Sequence, residues 1–143
     1  MLKYKGIHHL AMITDNMEKT IGFWRDLLGM RLLAETGDGR NKHIFFEISE
    51  NNTIAFFEWP EAVNPEMKEH GTPTDEPMVF DHVAIGVTDD TDLEELRILL
   101  SEAGYWVSKI VDHGFIHSIY SYDPNNIPIE FCAEVAGRDI RKA

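Results

Sequence analysis

The sequence is poor in cysteine, in cationic side chains and in long apolar runs, and each shortage narrows what the protein can be. Cys132 is the only cysteine among 143 residues, so no disulfide can form within the chain and a reducing compartment is expected. Thirteen Lys and Arg face 25 Asp and Glu, and the net charge of −12 argues against nucleic acid or an anionic membrane surface as a partner. No apolar run reaches the roughly 18 residues of a membrane span. Because residues 1–6 also lack the apolar stretch of a signal peptide, we expect a cytoplasmic protein.

The sequence does contain two similar halves, and each begins with a histidine and ends with a glutamate. The first half runs from His9 to Glu58 and the second from His82 to Glu130, and the two separations differ by only one residue. A duplicated unit of this kind can bring two imidazoles and two carboxylates to a shared seam. These are ligands for a divalent metal with positions left open for substrate. The predicted metal ligands are therefore His9, Glu58, His82 and Glu130.

Apolar residues recur at helical spacing once in each half, and strand-like runs flank both helices. Each helix is predicted to start at a capping box, over residues 15–18 and 91–94, and to end at a glycine, Gly29 and Gly104. The remaining runs predict one strand before each helix and three after it, including a strand over residues 105–112. The sequence therefore predicts an α+β fold made of two tandem βαβββ modules.

The predicted domain organisation is a single domain over residues 1–143. Module one covers about residues 5–59 and module two residues 80–133. Residues 60–79 hold four prolines and join the modules, and we interpret them as a solvated crossover rather than as a lid over a site. The tail, residues 134–143, is expected to fray or to pack on a partner chain.

The paired units resemble the vicinal oxygen chelate superfamily, which includes glyoxalase I, extradiol dioxygenases, fosfomycin-resistance thiol transferases and bleomycin-binding proteins. The segment Phe23–Met30 is similar to the end of that family's first helix, an aromatic pair followed by Leu-Gly. The segment Ser118–Glu130 resembles its closing hairpin, with Asn126 where the family usually has glycine. The resemblance implies a glyoxalase-like fold in which both modules form a curved, barrel-like sheet around one divalent metal ion. Zinc, nickel, manganese and iron all suit histidine and glutamate ligands.

The resemblance to glyoxalase I implies a lyase or isomerase that acts on a small hydroxy- or keto-carbonyl substrate. The metal would stabilise a developing enolate, and Glu58 would leave the metal to act as the general base. Bacterial glyoxalase I usually carries an arginine, which helps to hold glutathione, at the position of Ile13. A site built for that carboxylate needs its cation, so glutathione is not the expected substrate partner.

The resemblance to extradiol dioxygenases implies a second reading, in which iron and dioxygen open the ring of a catechol-like diol. The iron ligands would be His9, His82 and Glu130. Tyr120 lies ten residues before the final glutamate, as that group requires. The group's acid–base histidine is missing from the first module, and His117 or His113 could replace it because imidazole titrates near neutral pH. The predicted catalytic residues are thus Glu58, Tyr120 and His117.

A third reading is a non-catalytic protein that binds a small molecule, as the bleomycin-sequestering relatives do. Those relatives generally lack the metal ligands, so the complete set in this sequence favours metal-dependent chemistry. His43 and His70 have no counterpart in the repeat and are predicted to be surface residues. Relatives of this length often build the site from two chains, and open half-barrels leave sheet edges that need covering. We therefore expect a two-fold homodimer.

Overall fold

Each half of the chain folds into a four-stranded sheet with one helix packed on one face, which confirms the predicted α+β fold of two βαβββ modules. The computed structural model describes residues 1–37, 39 and 41–142, and it divides into two units, Met1–Pro65 and Glu66–Ala143. Ala143, the last residue of the predicted tail, lies outside the described residues. None of the helices in the described part of the chain has the length and apolar character needed to cross a bilayer.

The strands of the first unit are β1 (His9–Thr14), β2 (Arg31–Thr36), β3 (His43–Ser49) and β4 (Asn52–Glu58). They form a sheet of order β1-β4-β3-β2, with β1 parallel to β4 and the other pairs antiparallel. Helix α1 (Met17–Ile21) begins after Asn16, whose side chain accepts a hydrogen bond from the backbone N–H of Lys19, and continues as a π-helical segment over residues 22–27. A π-helical segment is rare, and in this one two consecutive aromatic residues, Phe23 and Trp24, are both buried.

The two faces of this first sheet differ because strand side chains alternate. Trp24 packs 5.9 Å from the ring of Phe56, so the face that carries Phe56 is the helix-covered face. Its fully buried apolar side chains include Ile44, Phe46, Ile54 and Phe56. The opposite, helix-free face carries His9, whose ring lies 5.4 Å from that of Phe45. Any chemistry that involves His9 therefore belongs to the helix-free face.

The second unit repeats this arrangement with strands β5 (Val83–Gly86), β6 (Val111–Asp112), β7 (Ile116–Tyr122) and β8 (Pro128–Glu134). The sheet order is β5-β8-β7-β6, and β5 is parallel to β8. Helix α2 (Asp90–Glu102) buries Leu93 and Leu100. Its cap is Asp89, which accepts hydrogen bonds from two backbone N–H groups, and not the predicted Thr91. Asp89 is the residue with the extended backbone (φ −159°) that a helix N-cap needs.

The predicted strand over residues 105–112 is largely wrong, because only Val111–Asp112 forms a strand. A single bridge pairs Val107 with Ser121 upstream of it. At the next position the Ser108 hydroxyl, rather than a backbone carbonyl, accepts the hydrogen bond of the Tyr120 N–H at 2.9 Å. A side chain that takes the place of a ladder carbonyl interrupts regular pairing. β6, one of the two outer strands of the second sheet, is consequently very short.

The outer strand β2 of the first sheet is longer but irregular. Its pairing with β3 shifts register between Leu32 and Ala34, so that Leu33 is an extra residue in the ladder. Leu33 is 43% exposed. A bulge of this kind bends the strand and increases its twist.

Candidate functional site

The second unit brings His82 and Glu130 together on the helix-free face of its sheet. Ala84 of β5 pairs with Glu130 of β8, and Glu130 pairs with Tyr120 of β7, so these positions share one face. His82 precedes Ala84 by two residues and points the same way. Its Nε2 atom lies 2.7 Å from Glu130 Oε1, and the Ser118 hydroxyl donates a hydrogen bond of 2.7 Å to Glu130 Oε2.

The burial of Glu130 indicates that its contact with His82 compensates a buried carboxylate. Its side chain is only 6% exposed, within an apolar strand. An ionised carboxylate in such a place is costly unless a cation or hydrogen-bond donors compensate it. Ser118 supplies one donor, and His82 Nε2 faces the other oxygen. Between that nitrogen and that oxygen there must be either a proton or a bound cation.

The neighbour of His82 on its other side decides how the ring is oriented. His82 Nδ1 donates a hydrogen bond to Asp81 Oδ2 at 2.6 Å, which leaves Nε2 as the atom that faces Glu130. An imidazole nitrogen and a carboxylate oxygen directed at one point, with the far ring nitrogen bonded to a carboxylate, suit a divalent metal of the zinc, manganese, iron or nickel type. His82 and Glu130 therefore fit the predicted metal. Among the described residues, however, no three His, Cys, Asp or Glu side chains are grouped closely enough to hold an ion.

The first unit does not bring His9 and Glu58 together. His9 pairs with Thr53 at one end of the β1–β4 ladder, whereas Glu58 pairs with Thr14 at the other end. Glu58 also lies on the helix-covered face, where its Oε2 accepts a hydrogen bond of 2.7 Å from the backbone N–H of Met17, the first residue of α1. Because Glu58 caps α1 on the face opposite to His9, the structure does not support its predicted role as a metal ligand together with His9.

The first-unit position that corresponds to Glu130 is Ala55. Two residues after each histidine, Ala11 pairs with Ala55 in the first unit and Ala84 pairs with Glu130 in the second. Ala55 contributes no ligand atom. Of the four predicted ligands, His82 and Glu130 lie together, His9 lies on the helix-free face of its own unit, and Glu58 does not. That His9 joins the other two remains a prediction.

Tyr120 lies on the same face as Glu130, and its hydroxyl is 2.7 Å from His113 Nε2. Burial raises the pKa of Tyr120, and the charge of Glu130 raises it further. The hydroxyl therefore stays protonated and can donate a hydrogen bond at neutral pH. His113, which the sequence offered as an alternative to His117, is thus the histidine that contacts the predicted catalytic tyrosine.

His117 lies on the opposite, helix-covered face. Its Nδ1 atom is 2.8 Å from a carboxylate oxygen of Asp90, the first residue of α2, and its Nε2 atom is 3.6 Å from Asp112. The strand register pairs His117 with Ala133, three residues beyond Glu130. An odd offset along a strand places two side chains on opposite faces. The prediction that His117 takes part in catalysis at the Glu130 face is therefore wrong.

His70 is a site residue that the sequence interpretation missed. Its Nε2 atom lies 3.1 Å from the Ser121 carbonyl and 3.0 Å from that of Ile129, so this nitrogen carries a proton and donates to both. Its ring is 4.8 Å from Tyr120 and 5.7 Å from His82. Burial lowers the pKa of His70, which keeps the ring neutral to lower pH. The prediction of a surface residue is wrong because a carbonyl pair on distant strands leaves no local sequence signal.

His43, also predicted to lie on the surface, stacks on Phe57 at a centroid separation of 3.8 Å and an interplanar angle of 7°. Its Nε2 atom is buried, and no partner for it is found among the described residues. The ring lies within the aromatic lining of the helix-free face of the first sheet.

Residues 6–131 match the family model described as the Glyoxalase/Bleomycin resistance protein/Dioxygenase superfamily. The chain belongs to this superfamily. No curated protein matches the sequence. This family assignment confirms the resemblance drawn from the repeat, and it covers both units.

Solved structures of the superfamily share the fold at low sequence identity. A glyoxalase family protein from Enterococcus faecalis is 21% identical, with a TM-score of 0.70, 90% of this chain covered and 98% of that chain. A glyoxylase/bleomycin resistance protein/dioxygenase domain from Frankia sp. EAN1pec is 16% identical, with a TM-score of 0.76 and coverages of 93% and 100%. A mutant of the fosfomycin resistance protein FosX from Listeria monocytogenes, complexed with Mn(II) and 1S,2S-dihydroxypropylphosphonic acid, is 19% identical, with a TM-score of 0.70 and coverages of 98% and 98%.

Proposed function

We propose that this superfamily member is a metal-dependent enzyme that opens the ring of a catechol-like diol with dioxygen. Its protein ligands would be His9, His82 and Glu130. The observation that carries the proposal is Ala55, which occupies the first-unit position that corresponds to Glu130. Without a fourth ligand the set is two histidines and one carboxylate, the facial triad of non-haem iron oxygenases.

The coordination count explains why three ligands matter. His9, His82 and Glu130 would hold a divalent iron ion, and a set of only three protein ligands would leave the ion able to supply dioxygen chemistry to a bound diol. In that reaction both atoms of O2 would enter the ring-opened product as the carbon–carbon bond beside the diol breaks. The burial of Glu130 within its strand limits the access of water to the carboxylate and strengthens its electrostatic interactions.

Tyr120 and His113 supply the polar contacts that such a substrate needs. The Tyr120 hydroxyl, protonated and on the face of Glu130, is placed to donate a hydrogen bond to a bound diol oxygen. His113 Nε2, 2.7 Å from that hydroxyl, can accept or return a proton through it. Since His117 is on the other face, His113 takes the acid–base role that the sequence left open between them.

The lyase or isomerase reading ranks second because its general base was Glu58. In the structure that carboxylate caps α1 on the helix-covered face, away from the face of His9. A proton-transfer enzyme would need a different base. Mn(II) and a dihydroxy compound occur together in the FosX complex. A ligand of that kind, with two adjacent oxygens, suits either reaction.

The test is oxygen uptake by protein loaded with Fe²⁺ under anaerobic conditions and then mixed with air and a panel of catechols. Wild type should consume oxygen and form a ring-opened product. Tyr120→Phe should reduce turnover by about 10²-fold, the lower range for loss of an acid–base contact, and His113→Gln should reduce it similarly. His117→Gln is the matched control and should retain activity, because its side chain lies on the other face.

Three results would count against this proposal. Equal activity of Tyr120→Phe, His113→Gln and wild type would remove the roles assigned to both side chains. Absence of oxygen uptake, together with metal-dependent hydrogen exchange of hydroxy- or keto-carbonyl compounds, would favour the isomerase. Binding of small molecules without turnover would favour a sequestering protein.

A further inference from the structure

Three hydrogen-bond donors converge on the carboxylate of Asp81, the residue before His82. Asp81 Oδ1 accepts from the Lys68 ammonium at 2.6 Å, and Oδ2 accepts from the Gly71 backbone N–H at 2.8 Å and from His82 Nδ1 at 2.6 Å. Charge-assisted hydrogen bonds of this length are the strong ones. Lys68 and Gly71 thus hold the Asp81 carboxylate in place independently of its contact with the His82 imidazole.

The donors also match an ionised carboxylate. Both oxygens of Asp81 accept hydrogen bonds from N–H groups, and the Lys68 ammonium brings a positive charge to 2.6 Å from Oδ1. An anionic acceptor at one imidazole nitrogen fixes a proton there and makes the other nitrogen a better electron-pair donor.

The anchors of Asp81 come from a segment, residues 68–71, that the sequence interpretation placed in a solvated crossover. In the structure this segment is hydrogen-bonded to the second sheet. The Tyr122 hydroxyl donates a hydrogen bond of 2.6 Å to the Lys68 carbonyl, and His70 Nε2 donates hydrogen bonds to the carbonyls of Ser121 and Ile129. The Lys68 side chain is only 15% exposed. This segment provides a fixed support for Asp81.

The first unit has a similar contact at the equivalent position. The residue before His9 is His8, and their Nδ1 atoms lie 2.9 Å apart. One of the two nitrogens donates to the other. In both units, therefore, the preceding side chain contacts the Nδ1 atom of the histidine, but only the second unit uses an anchored anion.

We propose that Asp81 is a positioning residue for His82, which holds Nδ1 protonated and Nε2 directed at Glu130 and so strengthens metal binding by His82. The proposal rests on the proposed function, because it takes His82 as a metal ligand. It assigns the support of the metal site to Asp81 and, through it, to Lys68 and Gly71.

The first experiment measures the affinity of the full chain for Zn²⁺ by competition with a chromophoric chelator. Asp81→Ala should weaken binding by about 10–100-fold, the range for loss of an outer-shell partner of a metal-bound histidine. Asp81→Asn keeps the size and one accepting oxygen, so its loss should be smaller. Asp75→Asn is the control, because it removes the same charge from an exposed residue nearby. Wild-type affinity in Asp81→Ala, or an equal loss in the control, would overturn the proposal.

The second experiment observes the ring directly by ¹H–¹⁵N NMR of histidine-labelled protein, with the His82 signals assigned by their loss in His82→Gln. Zinc-loaded wild type should show a downfield Nδ1–H proton that exchanges slowly with water, and Asp81→Ala should lose it to exchange. Persistence of that signal in Asp81→Ala would overturn the proposal, even if zinc affinity fell.

The spectrum also separates failure of this inference from failure of the proposed function. If wild type binds neither Zn²⁺ nor Fe²⁺, the proposed function fails, and the metal-free protein then decides the inference. A protected Nδ1–H that is present in wild type and lost in Asp81→Ala would support the positioning role without any metal. Its absence from wild type would refute that role.

Discussion

Replacement of Glu58 by glutamine distinguishes a structural carboxylate from a catalytic one. In the structure Glu58 Oε2 accepts a 2.7 Å hydrogen bond from the first N–H of α1. A hydrogen bond to a charged group contributes about 1.5–3 kcal/mol and a neutral one about 0.5–1.5 kcal/mol. Glutamine keeps an accepting oxygen but no charge, so Glu58→Gln should lower the free energy of unfolding by about 1 kcal/mol. Glu58→Ala also leaves the N–H without this partner and should cost about 2 kcal/mol.

The assay combines calorimetry with turnover. For a chain of this size, a loss of 1 kcal/mol lowers the melting temperature by about 4 °C. Glu58→Gln should therefore melt about 4 °C below wild type, and Glu58→Ala about twice as far below. Glu50→Gln, an exposed carboxylate in the β3–β4 turn, is the control and should leave the melting temperature unchanged. Turnover and metal content, measured well below the transition, should match wild type in all three variants.

One pattern would refute the structural role of Glu58. If Glu58→Gln melts like wild type but loses about 10²–10⁴-fold in turnover, the usual range for removal of a general base, Glu58 takes part in the chemistry. The lyase or isomerase reading would then regain first place. A fall in both quantities at a temperature where the variant is fully folded would indicate that the cap and the chemistry share one residue.

Two further predictions concern the closing hairpin and the assembly. Asn126 has a positive φ of 60°, a backbone conformation that glycine adopts freely and alanine does not. Asn126→Gly should therefore change the free energy of unfolding by less than about 0.5 kcal/mol, whereas Asn126→Ala should lower it by about 1 kcal/mol. Equal urea midpoints for the two variants would contradict this reasoning. We also expect a two-fold homodimer, and light scattering at micromolar concentration should give twice the chain mass of 16.4 kDa; a single 16.4 kDa species throughout would exclude it.

The repeat predicted most of the fold, because hydrophobic periodicity and helix punctuation are local properties of the sequence. It also singled out His82 and Glu130, whose side chains are in contact in the structure. The error at Glu58 has a physical origin. Sequence spacing counts residues, whereas the face of a side chain depends on strand register, and Ala55 rather than Glu58 holds the register position of Glu130.

The other two errors differ in kind. His117 lies an odd number of residues before Tyr120, so the alternation of strand side chains was enough to place the two on opposite faces. The position of His70 was beyond any local rule. Its ring is fixed by carbonyls of Ser121 and Ile129, about 50 to 60 residues away along the chain. Contacts of that range are decided by tertiary packing, which residue patterns do not encode.

The irregular outer strands β2 and β6 have a consequence for the resistance of the chain to aggregation. A long, flat outer strand offers unpaired amides to any other chain and can start aggregation. Here β6 has only two residues, and β2 is bent by the extra Leu33. At these two edges an arriving strand therefore finds little straight backbone to join, and the net charge of −12 repels it further. Deletion of Leu33 would straighten β2, remove that protection and leave a regular edge strand to which another chain could pair.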